Sequence, residues 1–329
     1  MSLAYWFLGG GLVLLLFGSE AVVRGGVAIS RALGVPPLIV GLLVVTAGTS
    51  APEFAVSLQS GLAGLPDIAL ANVVGSNILN LLLILGLAAL IRPLPSSPKV
   101  VLRDGGAMLI GAVALALMAW GGTITRVEGL MMLGAFAAYL AVTFLTDWRR
   151  STEHSVPCAR ALARLQDGEA SGAAGVFILL FGLVGLTVGA HFTVAGAEAM
   201  ARAFHISEAV IGLTVVALGA SIPELVVTLI AAARGQTQIA IGHLIGSNVF
   251  NTLGAIGATA ALTPLRIAPM LSEDLLVMAA ASAFLLPLLV SSWRLSRLQG
   301  AMLAASYACY LVFLAWRQGL VTLPLAGLG

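Results

Sequence analysis

Two glutamates that lie in otherwise apolar stretches are the residues of this chain best suited to binding a cation. Glu53 follows Pro52 in the segment GTSAPE, and Glu224 follows Pro223 in the later segment GASIPE. A carboxylate inside a membrane-spanning segment costs about 3 kcal/mol or more, so its presence usually marks a functional site. The same costly group placed twice beside the same helix-breaking residue predicts a cation site between two related halves.

An asparagine follows each glutamate at the same spacing and closes a second repeated segment: GSNILN ends at Asn80, and GSNVFN ends at Asn251. Residues spaced by four lie on one helix face, so a serine, Ser76 or Ser247, shares its face with each asparagine. Further neutral oxygens come from the hydroxyl side chains of Thr49, Ser50, Ser57, Ser221 and Thr228. Many oxygen ligands without cysteine or paired histidine suit calcium or sodium and do not suit zinc or copper.

The two prolines predict that the helices carrying the glutamates are discontinuous. Proline has no N–H to donate, and its ring clashes with the carbonyl four residues earlier. We therefore expect the helices to kink near Gly48 and Gly219 and to leave backbone carbonyls free. Such carbonyls coordinate cations in transporters, and free backbone is tolerated at membrane depth where it lines a cavity. One kinked helix and one polar-faced helix from each half would form a four-helix cage around the ion.

The composition predicts an all-α, polytopic membrane protein. Of the 329 residues, 60% are hydrophobic and only 9% are charged, whereas a soluble domain contains about 25% charged residues. A span needs roughly 20 mostly apolar residues. We predict ten such transmembrane helices, at about 3–24, 36–61, 67–91, 99–121, 124–146, 172–199, 206–233, 238–262, 269–292 and 297–317. The second and the seventh are the discontinuous helices.

A polar connection at about 147–171 divides the chain into two halves. We predict a first five-helix repeat at 1–146, a cytoplasmic linker at 147–171 and a second five-helix repeat at 172–329. Because each half crosses the membrane an odd number of times, the second half enters in the opposite sense and the repeats are inverted. Residues 34–86 align with 205–257 without gaps and with 19 identities in 53 positions, which supports duplication of the whole half.

The basic residues predict the orientation in the membrane. If the N-terminus lies outside, the inner side holds 12 lysines and arginines and the outer side holds 4. This distribution agrees with the positive-inside rule, so we expect both the N-terminus and the C-terminus outside. The first span lacks the basic start and the cleavage site of a signal peptide, and we expect it to be retained as a helix.

The paired segments GTSAPE and GSNILN, with their counterparts in the second half, resemble the two alpha repeats of the sodium/calcium exchanger family, within the cation/calcium antiporters and of the prokaryotic ten-helix type. The resemblance covers the repeat cores, about a third of the chain. It implies a rigid core of eight helices, across which the long first and sixth helices slide to alternate access. It also implies exchange of three sodium ions for one calcium ion, in a prokaryotic inner (plasma) membrane.

The resemblance further implies which residues bind the ions. The implied ligands are Thr46, Thr49, Ser50, Glu53, Ser76 and Asn80 in the first half and Ala217, Ala220, Ser221, Glu224, Ser247 and Asn251 in the second. Backbone carbonyls would serve at Thr46, Thr49, Ala217 and Ala220. Ala220 stands where the family usually has threonine, and Asn251 stands where potassium-dependent relatives have aspartate. A potassium requirement is therefore disfavoured.

Residues and resemblance together predict a secondary active antiporter, electrogenic and not an enzyme, that exchanges sodium for calcium. The alternative within transport is an antiporter of calcium, or of another cation, with protons, because a glutamate pair exchanges protons as readily as sodium. The alternative from another class is an intramembrane hydrolase that uses Glu53, Glu224 and His243 as acid and base, although the sequence lacks an HExxH motif. The structural alternative for the glutamates is a buried protonated pair, and that for His243 is a satisfied helix-face residue. The expected partners are Ca²⁺, Na⁺ or H⁺ and membrane lipid, with no cofactor and no nucleic acid.

Overall fold

The computed structural model describes residues 2–34, 40–163, 172–203, 219, 221–267 and 271–317. Within these ranges, eight helices are long and apolar enough to cross a membrane. They are Tyr5–Leu33, Pro66–Ile91, Val100–Trp120, Arg126–Thr146, Gly172–Gly196, Thr237–Leu262, Leu271–Ser291 and Arg297–Arg317. The all-α, polytopic membrane fold is thereby confirmed, and eight of the ten predicted spans coincide with these helices.

Most of the described residues lie in helices. The α-helices are α1 (Ser2–Leu33), α2 (Thr46–Thr49), α3 (Ala51–Leu62), α4 (Pro66–Ile78), α5 (Leu85–Ile91), α6 (Gly106–Trp120), α7 (Arg126–Ala163), α8 (Gly172–Ala203), α9 (Ile222–Ala233), α10 (Thr237–Val249), α11 (Gly257–Leu262), α12 (Leu271–Ser292) and α13 (Arg297–Arg317). Wider π-helical turns occur at Val40–Val45, Leu79–Ile84, Val100–Gly105 and Phe250–Ile256. The strands are β1 (Leu94–Pro95), β2 (Thr123–Ile124), β3 (Leu265–Arg266) and β4 (Arg294–Leu295).

The second predicted span is interrupted at Ser50. Helix α2 ends at Thr49, and α3 begins at Ala51 with Pro52 in its first turn. Ser50 has φ −86° and ψ 4°, which lies between the helical and extended regions. The predicted kink near Gly48 is therefore displaced toward the proline, to Ser50. Proline is accommodated in the first turn of a helix because the N–H it lacks has no partner there.

In the seventh predicted span, the described part starts a helix in the same way as α3. Helix α9 begins at Ile222, has Pro223 in its first turn, and follows Ser221 at φ −97° and ψ 10°. The part of this span at 206–218, together with Ala220, lies outside the described residues. In both halves, a new helix thus begins directly after the serine that lies two residues before the Pro-Glu pair.

Two short antiparallel strand pairs connect the halves. Strand β1 pairs with β4, and β2 pairs with β3. In the register that aligns 34–86 with 205–257, β3 is the counterpart of β1 and β4 is the counterpart of β2. Because α6 crosses the membrane between β1 and β2, the two pairs lie at opposite ends of the helices. Strand β1 thus pairs with the counterpart of β2, and β2 pairs with the counterpart of β1. Inverted repeats produce this arrangement.

Helix α7 extends beyond the predicted end of the fifth span. Its apolar part ends at Thr146, as the sequence predicted, but the helix continues to Ala163. The first part of the predicted linker at 147–171 is therefore helical. Residues 164–171 lie outside the described residues.

Helices α1 and α8 pack against each other through regularly spaced glycines. Small residues allow helix backbones to approach closely in membrane proteins. The facing pairs are Gly11 with Gly189, Gly18 with Gly182, and Gly25 with Gly175. The opposite order of the paired positions shows that the two helices run antiparallel.

We expect Gly18→Val to destabilise the protein. An added Cβ would lie 2.8 Å from the backbone nitrogen of Leu186 and 3.0 Å from the carbonyl oxygen of Gly182, and neither backbone atom can rotate away. Overpacking of this kind costs about 1–3 kcal/mol. The measurement is the unfolding temperature in detergent. The control is Gly9→Val, because, apart from the adjacent backbone of its own helix, no part of the described chain lies within 4 Å of the Cβ position there. Equal unfolding temperatures for the two variants would contradict the close approach.

Candidate cation site

Ten of the twelve predicted ligands lie in the described part of the chain, and all ten are buried. Ala217 and Ala220 lie outside the described residues. None of the ten is more than 6% exposed. They come from α2, Ser50 and α3, from α4 and the π-helical turn after it, from Ser221 and α9, and from α10 with its own π-helical turn. A cluster of polar side chains is thus enclosed among apolar helices.

Hydrogen bonds at the helix breaks join the two halves. The Ser50 hydroxyl oxygen lies 3.0 Å from Glu224 Oε1 and 3.1 Å from the hydroxyl oxygen of Ser247. The Ser221 hydroxyl oxygen lies 3.2 Å from that of Ser76. The two serine pairs occupy equivalent positions in the aligned halves, so the internal repeat relates them. Each discontinuous helix therefore contacts the polar helix of the opposite half, which brings the four predicted segments together.

Five buried side-chain oxygens in this cluster have no hydrogen-bond donor among the described residues. They are Oε1 and Oε2 of Glu53, Oε2 of Glu224, Oδ1 of Asn80 and Oδ1 of Asn251. Buried polar atoms in folded proteins nearly always have a partner, and all five of these atoms are acceptors. A positively charged group suits such a set of acceptors. The arrangement therefore fits a cation and does not fit an anion.

The charge of the cluster comes from two carboxylates. Glu53 and Glu224 are close enough to interact electrostatically. No group of three or more His, Cys, Asp or Glu side chains suited to a metal ion occurs in the described ranges. Two carboxylates with neutral amide and hydroxyl oxygens are ligands for hard cations such as calcium and sodium.

The carbonyl oxygen of Thr46, a predicted ligand, accepts a hydrogen bond from the backbone of the same helix break. It lies 2.9 Å from the backbone nitrogen of Ser50 and 3.4 Å from the hydroxyl oxygen of Thr49. The Thr46 hydroxyl in turn lies 3.0 Å from the carbonyl oxygens of Gly41 and His243. The single proton of the Thr49 hydroxyl has a nearer acceptor, the carbonyl oxygen of Val45 at 3.1 Å. One of the two lone pairs of the Thr46 carbonyl oxygen therefore remains available to an ion.

The Ser57 hydroxyl, which the sequence suggested as a neutral ligand, has a different role. It lies 3.3 Å from the carbonyl oxygen of Ala69, to which it donates, and 3.0 Å from Nδ2 of Asn72, from which it accepts. The same Asn72 nitrogen lies 3.1 Å from the carbonyl oxygen of Glu53. Ser57 and Asn72 therefore support the backbone around Glu53.

His243 is the counterpart of Asn72 and makes different contacts. Its Nδ1 lies 3.5 Å from the Thr46 hydroxyl oxygen. Its ring is fully buried, and its Nε2 has no partner among the described residues. The hydroxyl of Thr228, the counterpart of Ser57, also lacks a partner in that part of the chain. His243 is thus a buried helix-face residue, as in the structural alternative.

Asn77 and Asn248 were not predicted as site residues, although they join the halves. Nδ2 of Asn77 lies 3.4 Å from the carbonyl oxygen of Asn248, and Nδ2 of Asn248 lies 3.3 Å from the carbonyl oxygen of Asn77. Both residues occur at the same place in the repeated GSNxxN segment. Their identity in the two copies was the signal available in the sequence.

Comparison with known proteins gives matches over nearly the whole chain. A family model described as sodium/calcium exchanger protein matches residues 3–145 and 174–316, one segment in each half. The chain is 35% identical over 323 residues to the inner membrane protein YrbG of Escherichia coli, and the match covers 96% of this chain and 98% of that protein. It is 32% identical over 336 residues to the sodium/calcium exchanger MaX1 of Methanosarcina acetivorans, with 92% and 96% covered.

A solved structure is similar over the same extent. It is that of the sodium-calcium exchanger NCX_Mj soaked with zero Na⁺ and Ca²⁺, with a TM-score of 0.81 and 29% sequence identity. The similarity covers 95% of this chain and 99% of that chain. The likeness therefore includes both halves and the four segments that form the polar cluster.

Proposed function

The chain belongs to the sodium/calcium exchanger protein family, and from this premise we propose that it exchanges sodium for calcium across a membrane as a secondary active antiporter. The family and the similar solved structures are transporters and not enzymes. The prediction that the chain is not an enzyme is confirmed, and the intramembrane hydrolase is excluded. The choice between sodium and protons as the coupling ion is part of the proposal.

The observation that carries the proposal is the set of five buried acceptor oxygens without donors in the described chain. Oxygens of Glu53, Glu224, Asn80 and Asn251 come from both halves, and two carboxylates match the charge of one calcium ion. We propose these four residues as ligands, together with the other members of the predicted set. Those members are the side chains of Ser50, Ser76, Ser221 and Ser247 and the backbone carbonyls of Thr46, Thr49, Ala217 and Ala220.

The proposed mechanism is alternating access about a site between two inverted halves, at 1–146 and 172–329, joined by a cytoplasmic linker at 147–171. The strand pairs β1 with β4 and β2 with β3 support the inversion. The enclosed position of the ligands supports a site that opens to one side at a time, because a pore open to both sides would leave ligands exposed. We propose that both termini lie outside a prokaryotic plasma membrane, with three sodium ions exchanged for one calcium ion.

The test is calcium uptake into proteoliposomes that contain the purified protein. We expect calcium to accumulate when the lumen is loaded with sodium and the bath is sodium-free. Uptake should stop when a sodium ionophore collapses the sodium gradient. A proton gradient of equal size, imposed without sodium, is the matched condition. Uptake driven by the proton gradient alone would favour the cation/proton alternative, and uptake under neither gradient would refute calcium antiport.

A further inference from the structure

We propose that Asn77 and Asn248 are positioning residues that fix the amide orientation of the ligands Asn80 and Asn251. The inference rests on the proposed function, because it concerns how that site presents its neutral oxygens. All four asparagines are at most 1% exposed. Their amide groups form two short relays, one in each direction across the contact between the halves.

The first relay ends at Asn80. Nδ2 of Asn248 lies 3.3 Å from the carbonyl oxygen of Asn77, and Oδ1 of Asn248 lies 3.1 Å from Nδ2 of Asn80. The remaining oxygen of this chain of contacts, Oδ1 of Asn80, is buried and has no donor among the described residues. The relay therefore leaves one acceptor available to an ion.

The second relay is the repeat-related copy of the first. Nδ2 of Asn77 lies 3.4 Å from the carbonyl oxygen of Asn248, and Oδ1 of Asn77 lies 3.4 Å from Nδ2 of Asn251. Oδ1 of Asn251 is again buried without a donor in the described ranges. The Asn77 nitrogen has a further acceptor, the hydroxyl oxygen of Thr252 at 2.7 Å.

The orientation of each amide follows from the backbone carbonyl at the start of its relay. A carbonyl oxygen only accepts hydrogen bonds, so the amide group beside it must present its NH₂ and not its oxygen. The oxygen of that asparagine then faces the next amide, which must also present its NH₂. The ligand asparagine is consequently left with its oxygen directed away from the relay. A single fixed acceptor thus decides the orientation of two amides in succession.

The consequence for ion binding is large because a reversed amide changes the sign of the contact. If Asn80 were reversed, its NH₂ group would occupy the place of Oδ1 and would present partially positive hydrogens to the cation. Without the relay both orientations become accessible, and the site loses a ligand for part of the time. Partners that orient metal ligands change metal affinity by about 10–100-fold when they are removed.

The experiment measures the calcium concentration that gives half-maximal sodium-driven uptake in proteoliposomes. We expect Asn248→Ala to raise this concentration about 10–100-fold, and Asn80→Ala to raise it by at least as much. If Asn248 acts through Asn80, the half-maximal calcium concentration of the double variant should be no higher than that of Asn80→Ala alone. The reason is that the two changes remove one and the same contact. Independent effects that multiply in the double variant would overturn the proposal.

The control for an ordinary loss of packing is Thr259→Val. Its hydroxyl lies 2.7 Å from the carbonyl oxygen of Ala255, and the residue is 1% exposed. This change removes a buried hydrogen bond on the helix that continues from α10 and leaves the asparagine relays intact. We expect the half-maximal calcium concentration to remain that of the wild type.

A second variant separates a positioning role from a structural one. Asn77→Ala tests the other relay against Asn251→Ala in the same way, and the unfolding temperature of each purified variant is recorded without calcium. Failure of both Asn77→Ala and Asn248→Ala to fold would assign the pair a structural role and overturn the proposal. If Asn80→Ala weakens calcium binding and Asn248→Ala does not, this inference alone fails. If the wild type shows no sodium-driven uptake, the proposed function itself fails.

Discussion

Glu53→Gln and Glu224→Gln should each abolish calcium transport while the protein still folds. Each change removes one of two formal negative charges and places an amide NH₂ among acceptor oxygens. Two unit charges about 4 Å apart at an effective dielectric constant of about 20 interact by about 4 kcal/mol. Because calcium carries two charges, the loss of one carboxylate should lower calcium affinity by at least about a thousand-fold, which removes transport at millimolar calcium.

Both variants should still fold, because the buried carboxylates destabilise the protein when no ion is bound. Both oxygens of Glu53 and Oε2 of Glu224 are buried without a donor in the described chain. A neutral amide at such a place has a smaller desolvation cost than a carboxylate. We therefore expect unfolding temperatures without calcium equal to or above that of the wild type. The stabilisation that calcium gives the wild type should be absent in both variants.

The matched control is Glu128→Gln at the start of α7. The Glu128 carboxylate accepts from the backbone nitrogen and the hydroxyl of Thr125, both at 2.7 Å, and glutamine retains this capping arrangement. Transport by this variant should equal that of the wild type. Near-normal exchange by either Glu53→Gln or Glu224→Gln would show that the pair is not the calcium site and would favour the buried structural pair.

The sequence predicted the spans and the breaks because both depend on local chemistry. Apolar length sets a span, and Pro52 and Pro223 interrupt a helix wherever they occur in its interior. The break at Ser50 and the helix start after Ser221 lie closer to each proline than the predicted places. The reason is that each proline sits in the first turn of a new helix instead of bending an old one. That choice depends on how the second half-helix packs, which the sequence does not specify.

The π-helical turns were not predicted at all. They include Asn80 and Asn251, and wider turns of this kind are frequent at functional sites. A wider turn sacrifices regular helix hydrogen bonding for the tertiary contacts of the extra residue. Nothing in the local apolar pattern marks it, because the residues on either side are equally suited to an ordinary α-helix.

The buried polar cluster could be predicted at the level of residue types but not of contacts. The serines, glutamates and closing asparagines were identified because they are polar residues repeated in an apolar context. Asn77 and Asn248 were missed because their partners belong to the opposite half, and such pairing appears only when the halves are placed together. The role given to Ser57 changed for a similar reason, since its partners on α4 satisfy its hydroxyl.

Exchange should respond to the membrane potential. One calcium ion neutralises the two carboxylates of the site, and three sodium ions exceed their charge by one. Each cycle that takes up calcium should then move one net positive charge outward. A unit charge moved through about 100 mV corresponds to about 2.3 kcal/mol, which is about a 50-fold change in the calcium ratio at equilibrium.

The measurement uses proteoliposomes with a fixed outward sodium gradient and a potential set by a potassium gradient and a potassium ionophore. An interior-positive potential should increase the final calcium accumulation, because it drives sodium outward more strongly than it opposes calcium entry. An interior-negative potential of the same size should decrease it.

Glu53→Gln proteoliposomes under both potentials report passive leak, which is subtracted. The same potassium gradients without the ionophore separate the effect of the potential from any direct effect of potassium. We expect no direct effect, because Asn251 stands where potassium-dependent relatives have aspartate. Equal calcium accumulation at both potentials would contradict the three-to-one exchange. It would point instead to two monovalent ions for each calcium ion, because that exchange leaves the charge of the two glutamates balanced in both halves of the cycle.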